Sequence, residues 1–221
     1  MNMTLDTHSS LAVRPAAPAG KLTKAVRRIA SDQASRPVQH WGMAEVLALV
    51  DAARQRGRGR KGERDGLLLR VTFDSALRVS EVLGLRPVDI IRTEGGYRLQ
   101  VDGKTGPRQV AVSPSLVARL QSYAYVTGLH RDARFFPINR HRVWQIVDAA
   151  ADLAGLVKPP GVGTVHVLRH SGAIERMRLS GNPRSVQDQL GHASPAMTMR
   201  YWRTLNREEA LKIQEGVDFT W

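Results

Sequence analysis

The sequence contains no cysteine, which removes disulfides, thiol nucleophiles and cysteine zinc sites together. It also lacks any apolar run long enough to cross a bilayer, and Met1 to Gly20 has no continuous apolar core of the secretion-signal kind. A soluble, cytoplasmic protein is the expectation. Acidic residues are scarce as well: 20 Asp and Glu stand against 33 Lys and Arg, a formal charge of +13 and a pI near 11.1. Such an excess calls for a polyanionic partner, and charge alone leaves nucleic acid and an acidic membrane surface open. The 221 residues suffice for one main domain and an appendage.

Residues 1 to 37 are rich in Pro, Ala, Ser and basic side chains, and only the stretch from Lys21 to Gln33 has helical promise. This part reads as a flexible basic arm, with a folded domain over 38–221. Val46, Leu47, Leu49 and Val50 predict a short amphipathic helix over Met43 to Arg54, running into a Gly-broken basic run, Arg54 to Lys61, read as a loop. Helices are expected over Leu67 to Leu77 and Val79 to Leu85, with Arg78 and Glu81 three apart at their junction. Tyr97 to Val101 and Arg108 to Val112 alternate like strands and predict a hairpin with Lys104 at its tip. Beyond Ser113 the pattern is helical: Ser115 to Tyr125, Arg140 to Leu153, His166 to Leu179, Arg184 to Leu190 and Asn206 to Glu215. The fold class is therefore mainly α with a small antiparallel β-sheet, an α+β domain.

Cutting DNA without a metal requires fixed cations around the phosphodiester, an in-line nucleophile and an acid for the leaving alkoxide. Arginine suits the clamp because its planar fork gives two hydrogen bonds to phosphate and stays charged. Three stretches supply such groups in order: Leu77-Arg78-Val79-Ser80-Glu81, His166-Val167-Leu168-Arg169-His170, and Leu190-Gly191-His192 with Tyr201 nine residues later. Together they resemble the tyrosine recombinases, also called phage integrases, and the resemblance extends over roughly Val38 to Gly216. Gly103-Lys104-Thr105-Gly106 stands where that family carries a hairpin lysine.

The resemblance implies the tyrosine recombinase catalytic-domain fold and a site-specific recombinase that joins DNA to protein through a 3′-phosphotyrosine. Arg78 and Arg169 would clamp the scissile phosphate, His192 would donate a further hydrogen bond, His166 would act as base toward Tyr201, and Lys104 would protonate the leaving 5′-oxygen. Glu81 and His170 would support the pocket from beside it. No ATP, metal or other cofactor is needed, because the linkage to tyrosine conserves the phosphodiester energy. The implied partners are double-stranded DNA and further copies of the chain, a dimer per site and a tetramer in synapsis, with Asn206 to Glu215 docking into a neighbour. Nucleoid association follows from such a substrate. Integration, excision, inversion and resolution are equally open outcomes.

Taken singly, each residue has a plainer reading. An Arg beside Ser and Glu on a helix is usually a surface ion pair, and a tyrosine is usually core with its hydroxyl at the surface, as expected for Tyr123 and Tyr125. The run Arg54, Arg56, Arg58, Arg60 and Lys61 is either a DNA-backbone contact or a solvated charge run. Trp144 and Arg142 could meet DNA, although Trp is more often core. A phosphate loop at Gly103-Lys104-Thr105 is excluded, since Arg98 stands where its first glycine belongs. The cationic pocket should help the Tyr201 phenolate to form near neutral pH.

Most tyrosine recombinases carry a helical domain ahead of the catalytic one, and this sequence has fewer than forty residues there. The resemblance is to the minimal, catalytic-domain-only form. Either the arm, with Lys21, Lys24, Arg27 and Arg28, follows the DNA backbone, or an accessory DNA-binding partner completes the clamp; binding should be weak and salt-sensitive. Two rival functions share the fold: a non-catalytic DNA-binding regulator, and a DNA-relaxing enzyme like the type IB topoisomerases.

Overall fold

The computed structural model describes residues 37–103 and 106–215. The first helix, α1 (Met43–Gly57), and the second, α2 (Gly59–Ser75), are joined by Arg58 alone. The basic run from Arg54 to Lys61 is thus helical on both sides of one residue, where a loop was expected. Two contacts explain the tight reversal. Arg54 Nη2 donates to Glu63 Oε1 at 2.7 Å, and Gly62 presents no side chain where one would overlap the Arg54 carbonyl. Arg58 makes the turn at φ 48° and ψ 147°, a positive-φ conformation outside the left-handed helical region that costs a residue with a Cβ about 1–3 kcal/mol. Arg58→Gly should therefore stabilise the fold by about 1 kcal/mol after the entropy lost by glycine, raising Tm by about 2–4 °C. A thermal scan showing no rise would mean that the turn relaxes at no cost.

Ala76, at φ 50°, ends α2, and Arg78 caps α3 (Val79–Gly84). A 3-10 turn over Pro87–Asp89 leads into a sheet of β1 (Ile90–Thr93), β2 (Gly96–Gly103) and β3 (Gly106–Val112), antiparallel and in the order β1-β2-β3. Alternation was legible in β2 and β3, where Leu99, Val101, Val110 and Val112 are buried. It was not legible in β1, whose four residues are none of them fully buried. Gly103 pairs with Gly106, so the hairpin flanks position 104; Lys104 itself lies outside the described residues, as do residues 1–36 of the arm expected over 1–37.

The remaining helices are α4 (Pro114–Thr127), α5 (Arg140–Leu153), α6 (Thr164–Ser180), α7 (Pro183–Leu190) and α8 (Pro195–Glu215). Ser113, Asn139 and Asn182 cap α4, α5 and α7 by accepting from backbone N–H groups of the first turn. The expected helix from Asn206 in fact begins at Pro195. Its buried face there includes Thr198, Tyr201 and Thr204 as well as Leu205, so no apolar periodicity announced it. The main core joins α1 to α6 and the sheet; a second apolar cluster includes Ala76, Ile174, Met177, Val186, Leu190, Tyr201 and Leu205. Tyr123 packs against the main core as expected, whereas Tyr125, two residues on and so on the opposite side of the helix, is 89 % exposed. Trp144 is also exposed and stacks on His141. Among the described residues no helix is long and apolar enough to cross a membrane.

Candidate active site

Glu81, on α3, is buried and accepts from two arginines. Arg78 donates its backbone N–H to Oε2 at 2.8 Å and Nη1 to Oε1 at 3.1 Å. Arg108, on β3, donates Nη1 to Oε1 at 2.9 Å and Nη2 to Oε2 at 3.0 Å. Burial alone would raise the carboxyl, but the hydrogen bonds from Arg108 and Arg78 outweigh it and hold Glu81 below the usual range.

His166, Arg169 and His170 lie on the first turns of α6. Arg169 is 6 % exposed; Nη2 reaches the Leu190 carbonyl at 3.4 Å, and Nη1 is 4.0 Å from Glu81 Oε2 with no hydrogen-bond partner. Burial, with Arg78 acting in the same direction, lowers its pKa to about 10, so it remains charged at neutral pH. A buried guanidinium N–H left without an acceptor is costly. An anion entering beside Arg78 would supply one.

Tyr201 lies in the second turn of α8, 1 % exposed, its ring a member of the second apolar cluster. Its hydroxyl is 2.8 Å from His170 Nδ1. His192 stacks on the tyrosine ring at 6.1 Å between centroids and meets Thr198 Oγ1 through Nδ1 at 3.0 Å. His166 stacks on His170 at 6.4 Å. The structure thus brings Arg78, Glu81, His166, Arg169, His170, His192 and Tyr201 together, with His170 rather than His166 on the tyrosine hydroxyl. One expectation is reversed: burial raises the Tyr201 pKa by more than Arg169, Arg200 and Arg78 lower it. In this state the tyrosine holds its proton, since the ring is packed away from the water that would solvate a phenolate.

Burial, aided by neighbouring charge (His166 and Arg169 for His170, Arg169 and Arg78 for His192), lowers both histidines to about 4. Their folded values lie below the ordinary 6.5, so the unfolded chain takes up protons first. The stability they contribute is complete above about pH 6.5 and is lost as pH falls toward 4. Between pH 6.5 and 5, before carboxylates dominate, the loss should be about 1–2 kcal/mol in all, allowing for partial exposure. Thermal unfolding across that range should show a falling Tm, with a shallower slope in His170→Asn; equal slopes would mean that His170 is protonated without penalty.

Arg54, Arg56, Arg58, Arg60 and Lys61 are exposed at the α1–α2 turn, and the hydrogen bonds of Arg54 go to Glu63, not to the cluster. Arg108 was missed. On an alternating strand it reads as an outward polar residue, and no local pattern shows that its partner is 27 positions away. Among the described residues no three His, Asp or Glu are grouped to hold a metal ion.

The phage integrase family profile matches residues 43–208. A relative named tyrosine recombinase XerC, from Nitrobacter winogradskyi, is 31 % identical over 171 residues, covering 72 % of this chain and 52 % of that protein. The chain thus spans about half the length of that relative. Among solved structures, XerH site-specific recombinase bound to a palindromic difH substrate superposes with a TM-score of 0.68 at 22 % identity, over 81 % of this chain and 54 % of that one. The catalytic domain of bacteriophage HP1 integrase gives 0.58 at 22 % identity, over 79 % of this chain and 94 % of that domain. Both structural likenesses speak to the fold.

Proposed function

We propose, from the premise that the chain belongs to the phage integrase family, that it cuts and rejoins double-stranded DNA through a phosphotyrosine at Tyr201. The observation that carries this reading is the unpartnered Nη1 of the buried Arg169, beside Arg78 and with Tyr201 held against His170 and His192. A non-bridging phosphate oxygen is the acceptor that Arg169 lacks, and Arg78 and His192 offer further donors.

In the proposed reaction Tyr201 Oη attacks phosphorus in line and its proton passes to His170, with His166 stacked behind. The bond to the 5′-oxygen breaks, Lys104 gives that oxygen a proton, and a 3′-phosphotyrosyl bond remains. A 5′-hydroxyl from a partner strand then gives its proton to the Lys104 amine and attacks the same phosphorus, and Tyr201 leaves as it regains its proton from His170. Because burial holds Tyr201 protonated, the phenolate forms only once substrate and clamp compensate the charge. Residues 38–221 form the catalytic domain in this reading, and the arm over 1–37 and the basic α1–α2 turn contact the DNA backbone. Copies act as a dimer per site and a tetramer in synapsis.

The test is covalent trapping. The full chain is incubated with fragmented DNA from its source, denatured and digested, and the modified peptide is identified by mass spectrometry. A nucleotide on Tyr201, with one sequence enriched in the trapped DNA, is the expected result. DNA that binds without any adduct would point instead to a regulator on the same fold, and adducts spread over all sequences to a relaxing enzyme.

A further inference from the structure

The reaction above leaves one guanidinium of the cluster without a task. Arg108 holds both oxygens of Glu81 at 2.9 and 3.0 Å, the planar two-point pairing that arginine makes and lysine cannot. Its side chain is 13 % exposed, against 34 % for Arg78. One carboxylate thus stands among three guanidinium groups, and the only one of the three pairings in which the guanidinium engages both its oxygens is with an arginine outside the phosphate clamp. With both oxygens engaged by Arg108, Arg78 keeps a single side-chain bond to Glu81 at 3.1 Å and Arg169 stays 4.0 Å away. Without Arg108, Glu81 would be the nearest anion to both, poorly screened by water, and would compete with phosphate for them.

The same side chain joins two other parts of the site. A Cβ on Gly103 would overlap the Arg108 guanidinium, and one on Gly191 would approach Arg108 Nε to 2.8 Å. Gly191 has φ +62°, so that turn, just before His192, needs glycine for both its backbone and the arginine beneath it. Arg108 therefore lies against both the strand leading to Lys104 and the turn leading to His192.

We propose that Arg108 is a positioning residue of the phosphate clamp: by occupying both oxygens of Glu81 it limits that carboxylate to one side-chain bond with Arg78 and holds it off Arg169, so that their remaining N–H groups can bind the anion. The inference rests on the reading that these two arginines hold a scissile phosphate.

Inorganic vanadate, a tetrahedral oxyanion, is the probe, titrated against the full chain by vanadium NMR, with thermal unfolding of every variant as the check on folding. In Arg108→Ala and Arg108→Lys the dissociation constant should rise about tenfold, and in the double variant Arg108→Ala/Glu81→Gln it should return to within about threefold of the native value. Arg108→Gln, which removes less side-chain volume than alanine, serves if the alanine variant fails to fold. A purely structural Arg108 predicts the opposite order, with the double variant no better than the single. Unchanged affinity in Arg108→Ala, no recovery in the double variant, or no vanadate binding by the native chain overturns the proposal. Failure of the recombinase reading is seen separately, as the absence of a native DNA adduct.

Discussion

Tyr201→Phe will bind duplex DNA about as tightly as the native chain and form no covalent adduct. The two parts of this result have separate physical origins. The tyrosine ring is a packing residue in the second apolar cluster, and phenylalanine keeps that ring. The substitution removes one hydroxyl and leaves His170 Nδ1 without its 2.8 Å partner, a loss of about 1 kcal/mol that should lower Tm by only about 2–4 °C. No charged group is changed, so affinity for a polyanion should hold, whereas the proposed chemistry loses its nucleophile outright. The measurement is a denaturing gel of protein crosslinked to labelled DNA, beside a filter-binding titration. An adduct of native yield in Tyr201→Phe would move the nucleophile to another residue and sink the assignment.

Arg169→Met will be more stable than the native chain and nearly inert. The native Arg169 is a charge held in an unfavourable place: burial lowers its pKa to about 10, Nη1 has no partner, and Glu81 is already held by Arg108 and Arg78. Methionine fills similar space without charge, and replacing a poorly compensated buried ion by an apolar side chain is often stabilising by 1–4 kcal/mol, so Tm should rise by about 2–4 °C or more. Cleavage should fall by about a thousandfold or more, since even one donor to the transition state contributes about a hundred- to a thousandfold. Single-turnover cleavage of the trapped DNA site and a thermal scan test the pair of expectations. Reduced stability would mean that Arg169 is a structural cation, and retained cleavage would remove it from the clamp. Stability given up at a site proposed to meet an anion is the expected pattern for a functional residue.

Much of the site was legible because its chemistry is carried by residue type and order. Arg78 and Glu81 share a helical turn, as do His166, Arg169 and His170, so spacing alone grouped them. The helical character of the second half and the β2–β3 hairpin were legible for the same local reason. The α1–α2 reversal was not, because glycines that mark a loop in sequence can equally permit two helices to touch, as Gly62 does against Arg54. Nor was the start of α8 legible, since threonines on its buried face break the apolar pattern.

What the sequence determined by itself is the set of candidate groups, their order and the family they resemble, along with the exclusion of cysteine chemistry. These are properties of side chains and of neighbours three or four residues apart. Tertiary structure alone decided which groups touch: Arg108 on Glu81 across 27 positions and Tyr201 on His170 across 31. It also decided the sign of the Tyr201 shift, because the arginines that favour a phenolate are visible in the sequence while the burial that opposes it is not. Burial and long-range pairing are set by how helices and strands pack, so they exist only once the chain has folded.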